Sequence, residues 1–310
     1  MTTEKQLHTL ADTVSTNEPV SPDLPLIDAY AHSSDHEPIQ PAPAEINPDD
    51  PPWGVGWAVL VWVTSLVILV FMQIAVAVPY VVYKTSSGGS PAALATDPTL
   101  IFFSILGVVP AHLLTFLIVW FLVSNRGRRP FWQTLGWTFP KNFGPWKTII
   151  LAAALLGVGV LFTQFLGGKE TQLDQVINSS LKARFATAFL AVATAPLVEE
   201  LIFRGVLYPA LQRAIGMAGA VAIVTVLFAG IHVFQYFDNF GVVAVITMLS
   251  LTLTLLRAYT GRLLPSFVLH LVFNGIQAAF LVVQPFVGKF SSDSKPVVGF
   301  LVHHLSRLFI

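Results

Sequence analysis

APLVEELIFRG, residues 195–205, sets two adjacent carboxylates, Glu199 and Glu200, and a guanidinium, Arg204, inside an apolar run from about residue 185 to about residue 211. Each ionisable group near a bilayer centre costs several kcal/mol, so charges kept there mark a functional site or a polar knot that fixes helix packing. On a helix Glu200 and Arg204 are i,i+4 neighbours with the acid on the N-terminal side, the favourable order for an ion pair. Glu199 is rotated by roughly 100° from Glu200 and cannot face that arginine equally well. The simplest division of labour makes Glu200–Arg204 a neutralised pair and leaves Glu199 free for chemistry.

The rest of the chain places this stretch in a membrane. Of 310 residues, 54% are hydrophobic and 11% charged, against about 25% charged in soluble domains. There is no cysteine, which excludes disulfides and thiolate chemistry and leaves His, Glu, Asp or Asn to hold any metal. The net charge of zero conceals an asymmetry: ten of the 17 acids lie in residues 1–50, together with Lys5, and the other sixteen Lys and Arg lie beyond. Nothing in this pattern calls for nucleic acid.

Residues 1–52 read as a disordered, acidic, Pro-rich tail without the basic start and short apolar core of a signal peptide. Seven apolar runs then approach or exceed the ~20 residues that span hydrocarbon. They cover residues 55–83, 99–123, 146–166, 185–211, 218–236, 241–259 and 263–284. The loop with Arg126, Arg128, Arg129, Lys141 and Lys147 contains no acid, so the positive-inside rule makes it, and the N-terminus, cytoplasmic. Trp132 and Trp137 suggest that part of this loop lies at the interface. Residues 167–184 read as a polar loop, and residues 297–310 as an interfacial helix or part of an eighth span. The expected fold is an all-α, polytopic transmembrane bundle of seven or eight spans. Three spans fall in 53–180, four form a core over 181–285, and a terminal segment covers 286–310.

Three polar side chains deep in the last spans complete a constellation with Glu199, which lies roughly 20 Å along its helix from the outer end. His232 sits at a similar depth on the next span, and His270 with Asn274, one turn apart, on the last. His112, alone on the second span, reads as a packing residue. Together the four residues suit hydrolysis: a desolvated carboxylate acts as general base on water, histidines orient that water or bind a metal, and an amide N–H donates to an oxyanion. No G-x-S-x-G or H-E-x-x-H motif is present, which removes the usual signatures of a serine hydrolase or a zincin.

Glu199-Glu200-x-x-x-Arg204, Phe228-x-x-x-His232 and His270-x-x-x-Asn274 resemble the three ordered motifs of the CPBP family of intramembrane proteases. That family includes type II CAAX prenyl endopeptidases and bacterial Abi proteins of bacteriocin processing or immunity. The resemblance covers residues 185–285. It implies that Glu199 activates water, that His232 and His270 position it, that Asn274 supports the oxyanion, and that Glu200 and Arg204 orient the site, with Phe228 packed beside it. It also implies either a Zn2+ ion held by His232, His270 and Glu199, or a metal-free glutamate mechanism. The implied substrate is a peptide bond near the C-terminus of a membrane-associated or lipidated polypeptide, and the implied location is a bacterial inner membrane. A non-catalytic immunity or scaffold protein of the same family, and a proton- or cation-coupled transporter, are the rival readings.

Overall fold

The structure, a computed structural model, describes residues 46–166, 169–236 and 239–290. Every regular element among them is helical: α1 (Val55–Ser86), α2 (Pro91–Leu94), α3 (Pro98–Leu106), α4 (Val108–Val123), α5 (Phe131–Thr134), α6 (Pro145–Leu166), α7 (Gln172–Ser179), α8 (Leu181–Ala193), α9 (Ala195–Glu200), a π-helix (Leu201–Leu207), α10 (Tyr208–Tyr236), α11 (Phe240–Thr260) and α12 (Leu263–Phe290). The outer helices are apolar around most of their circumference. On α1 only Ala58, Val61, Ser65 and Ala77 are buried, while Val67 and Phe71 are each 61% exposed. A helix that is hydrophobic all round belongs in lipid, and the protein is a multi-pass integral membrane protein.

Length and hydropathy alone do not confirm the expected seven or eight spans. Six helical stretches among the described residues are long and apolar enough to cross a membrane: Val55–Ser86, Pro98–Val123, Pro145–Leu166, Ala195–Val233, Phe240–Thr260 and Leu263–Phe286. The fourth stretch takes in parts of both expected spans, 185–211 and 218–236: its 39 residues comprise two helical arms that meet at Gly216. It is not straight. Gly216 adopts φ 78° and ψ 168°, a conformation open to glycine and strained for residues with a Cβ. The two arms meet side by side: the Phe203 and Phe228 ring centroids lie 5.1 Å apart, where a continuous helix would hold them about 37 Å apart. The chain thus reverses direction at Gly216, within the short gap of residues 212–217 that separates the expected spans 185–211 and 218–236. The segment 297–310, read as an interfacial helix or part of an eighth span, lies outside the described residues.

Two further regions depart from the sequence reading. Residues 167–184 are not simply a loop, since they contain α7, opened by a capping box in which Thr171 and Asp174 satisfy each other's backbone N–H groups. Asp174 is fully buried; burial pushes its carboxyl up, against the opposing bonds from Thr171. The packed body also begins at residue 46, inside the 1–52 stretch that composition assigns to a tail, and residues 1–45 lie outside the described residues. The basic loop does contain an ordered aromatic segment: Trp132 packs on Trp137 at 4.6 Å, and Trp137 on Phe267 at 4.9 Å.

The α3–α4 junction shows how tightly the first two spans pack. A Cβ at Gly107 would come within 2.5 Å of the Gln73 Cα and 2.7 Å of the Met72 carbonyl oxygen on α1. Small residues at such crossings let membrane helices approach closely. Gly107→Ala is therefore expected to destabilise the protein by at least the ~1–3 kcal/mol typical of overpacking, because the obstructing atoms are backbone. A thermal scan in detergent should show a lowered midpoint.

Candidate active site

The central helix is assembled from three pieces. Thr194 leaves the helical region (φ −127°, ψ −40°), Pro196 restarts it in the first turn of α9, and the chain widens into the π-helix immediately after Glu200. Single-turn π segments inside α-helices recur at functional sites. Here the widening carries Arg204, and Glu199 and Glu200 are the two residues immediately before it.

Glu200 and Arg204 form the ion pair expected from their spacing, at 2.9 Å with both side chains 0% exposed. The arginine is held from every side. Its Nε donates to Thr254 Oγ1 (3.2 Å), and its Nη2 donates to the Ser250 carbonyl (3.0 Å) and hydroxyl (2.9 Å). Phe228 takes a larger part than the packing role read from sequence, since the guanidinium carbon lies 4.6 Å from its ring centroid. Cation–π attraction of this kind strengthens when the partners are desolvated.

His270 joins the pair. Its Nδ1 lies 2.9 Å from Glu200 Oε1, the same oxygen that accepts from Arg204. An ion-paired carboxylate only accepts, so the His270 Nδ1–H donates, and in the neutral ring Nε2 carries the lone pair. His232 is fixed in the same sense: its Nδ1 lies 2.8 Å from the Phe228 carbonyl, an acceptor only, which leaves its Nε2 free. Both histidines are oriented by bonds at Nδ1, and both keep an Nε2 for a ligand.

Glu199 is placed differently from Glu200. Its side chain is 23% exposed, with Oε2 3.7 Å from His270 Nε2. It lines a cavity of about 180 Å³ with His232, His270 and Asn274. The structure thus brings Glu199 together with the three residues that the sequence groups around it. Asn274 is constrained: its Nδ2 donates to the Ala191 carbonyl at 3.0 Å, which leaves one of its two N–H bonds available.

Three residues at this site escaped the sequence reading. Tyr236 and Gln277 also line the cavity. His112, taken as a packing residue, reaches from α4 to the break before α9, with Nδ1 2.8 Å from Thr194 Oγ1. No signal marked it, because a lone histidine looks the same whether it packs a core or braces a helix start.

The implied metal would be held by Glu199, His232 and His270, which share the cavity. A zinc site needs its ligand atoms each about 2.0–2.2 Å from the ion, and among the described residues no three His, Asp or Glu side chains are already gathered around one such point.

Residues 181–276 match the family described as type II CAAX prenyl endopeptidase Rce1-like. This segment contains all three motifs and is similar to that family, in agreement with the CPBP resemblance. No curated protein and no solved structure matches the chain.

Proposed function

We propose that this chain, similar to the Rce1-like family over residues 181–276, is an intramembrane endopeptidase that hydrolyses a peptide bond through a water activated by Glu199. The observation that carries the reading is the unequal treatment of two adjacent carboxylates. Glu200 is buried and spent on Arg204 and His270, whereas Glu199 faces the cavity.

Water between Glu199 and the free Nε2 atoms of His232 and His270 gives up a proton to the Glu199 carboxylate. Its oxygen bonds to the scissile carbonyl carbon. The oxyanion that develops accepts the remaining Asn274 N–H, the kind of interaction whose loss costs about 10²–10³-fold in kcat in other enzymes. The tetrahedral species then collapses as the C–N bond breaks, and the proton held by Glu199 passes to the leaving amine. No step runs through a metal. The substrate is a membrane-associated or lipidated polypeptide cut near its C-terminus, of CAAX type or as in peptide and bacteriocin processing. The two arms of the fourth stretch count as separate crossings. That gives seven crossings; with the acid-free basic loop at 126–147 on the inside, the proposed orientation has a cytoplasmic N-terminus in a bacterial inner membrane and a site opening toward the cytoplasm.

The test is cleavage of quenched fluorescent peptides, farnesylated C-a-a-X members included, by the detergent-purified protein with and without a chelator. Cleavage indifferent to chelator is the expected result. Cleavage lost with chelator and restored by zinc would overturn the metal-free route. A protein that cleaves no member of the set would favour the non-catalytic immunity or scaffold reading.

A further inference from the structure

The N-terminal strap at residues 47–53 touches the two elements that hold Arg204, and it does so through buried or multiply bonded groups. Trp53 is 3% exposed, and its indole N–H donates to the Val206 carbonyl at 3.0 Å, inside the π-helix and two residues from Arg204. Arg213, further along the same arm, donates to Asp50 Oδ1 and to the carbonyls of Pro51 and Trp53. On the other side, Arg257 of α11 donates to Asp49 Oδ1 at 2.6 Å and to the Pro48 carbonyl at 3.0 Å.

The register of α11 links these contacts to the site. Ser250, Thr254 and Arg257 follow an i, i+4, i+7 pattern and share one helix face. The first two bind the Arg204 guanidinium, and the third binds the strap. Arg257 is only 1% exposed and also lies over Tyr208, 5.5 Å from its ring centroid. A buried run of groups therefore extends from His270 and Glu200 through Arg204 to α11 and ends on Asp49. An exposed Asp–Arg pair contributes little, which describes Asp50 with Arg213 at 69% and 44% exposure. Asp49 with Arg257 is different, because removing the carboxylate leaves a buried cation without its counter-charge.

We infer that the strap at residues 47–53 is a positioning element for the active site, in which Trp53 and Asp49 hold the π-helix and α11 in the register that commits Glu200 to Arg204 and leaves Glu199 facing the cavity. The inference rests on the peptidase reading of that cavity. Neither residue touches substrate; both act through Arg204.

The experiment compares the full-length wild type with Trp53→Phe, which keeps an aromatic ring but removes the N–H, with Asp49→Asn, and with the charge exchange Asp49→Arg/Arg257→Asp. Each is read by kcat and KM, by thermal midpoint, and by amide hydrogen exchange over 199–207. Trp53→Phe and Asp49→Asn are expected to lower kcat about 10- to 100-fold, as small displacements of catalytic groups do, with KM unchanged and faster exchange at 201–207. The exchanged pair is expected to recover part of the Asp49→Asn loss. Unchanged kcat and exchange in both single variants would overturn the inference, as would a fall in kcat matched by a fall in midpoint with no local change in exchange. If the wild type cleaves nothing, the peptidase reading fails, while the exchange arm still decides whether the strap orders the π-helix.

Discussion

Glu199→Gln is expected to lower kcat by about 10²–10⁴-fold, the usual contribution of a positioned general base, while KM and the thermal midpoint stay near their wild-type values. The amide keeps the size of the carboxylate and its place beside His270, 3.7 Å away, but cannot take a proton from water. Stability should be spared because Glu199 is not part of the buried pair; its side chain is 23% exposed and faces a cavity rather than a packed core. Steady-state kinetics on any peptide that the wild type cleaves, together with a detergent thermal scan, read both quantities. Wild-type turnover in the Glu199→Gln variant would remove Glu199 from the chemistry.

The second large effect falls on stability. Arg204→Met is expected to cost about 3–5 kcal/mol, as breaking a buried pair from one side does. The variant leaves the Glu200 carboxylate at 0% exposure with His270 as its remaining partner, and it strips the Thr254 and Ser250 hydroxyls of a donor. Arg204→Lys should rescue little, because an ammonium on a flexible stem cannot reproduce the fork that reaches Glu200, Thr254 and Ser250 together. Glu200→Met combined with Arg204→Met should regain part of the loss, since replacing both members of a buried pair by apolar residues is often neutral or stabilising. Unfolding midpoints of the wild type and these three variants check the order. An Arg204→Met protein as stable as the wild type would contradict the account of the pair.

Much of the site was legible because charge in an apolar run is costly, so the few polar residues retained there are informative. The i,i+4 spacing of Glu200 and Arg204 forecast their contact, and the 100° offset of Glu199 forecast its separate environment. The extent of the apolar runs located most helix boundaries to within a few residues: a start expected near 146 falls at Pro145, and an end expected at 123 falls at Val123.

What stayed hidden has physical reasons too. Hydropathy measures composition along the chain and is blind to backbone geometry, so neither the π-helix at Leu201–Leu207 nor the break at Thr194 left a trace in it. The reversal at Gly216 falls in the gap that the apolar runs leave between 211 and 218, but its backbone angles are not recorded in composition. The strap was misassigned for a different reason. Residues 47–53 share the acidic, Pro-rich composition of the tail before them, and only their long-range partners, Arg257, Arg213 and the Val206 carbonyl, set them apart.

The most direct test of the central claim, that adjacent carboxylates divide chemistry from structure, is a paired comparison of Glu199→Gln and Glu200→Gln by turnover and thermal midpoint. The account predicts that Glu199→Gln loses turnover and keeps the midpoint, and that Glu200→Gln lowers the midpoint by weakening the anchor for Arg204 and His270. Turnover retained in Glu199→Gln, with the midpoint unmoved in Glu200→Gln, would contradict it.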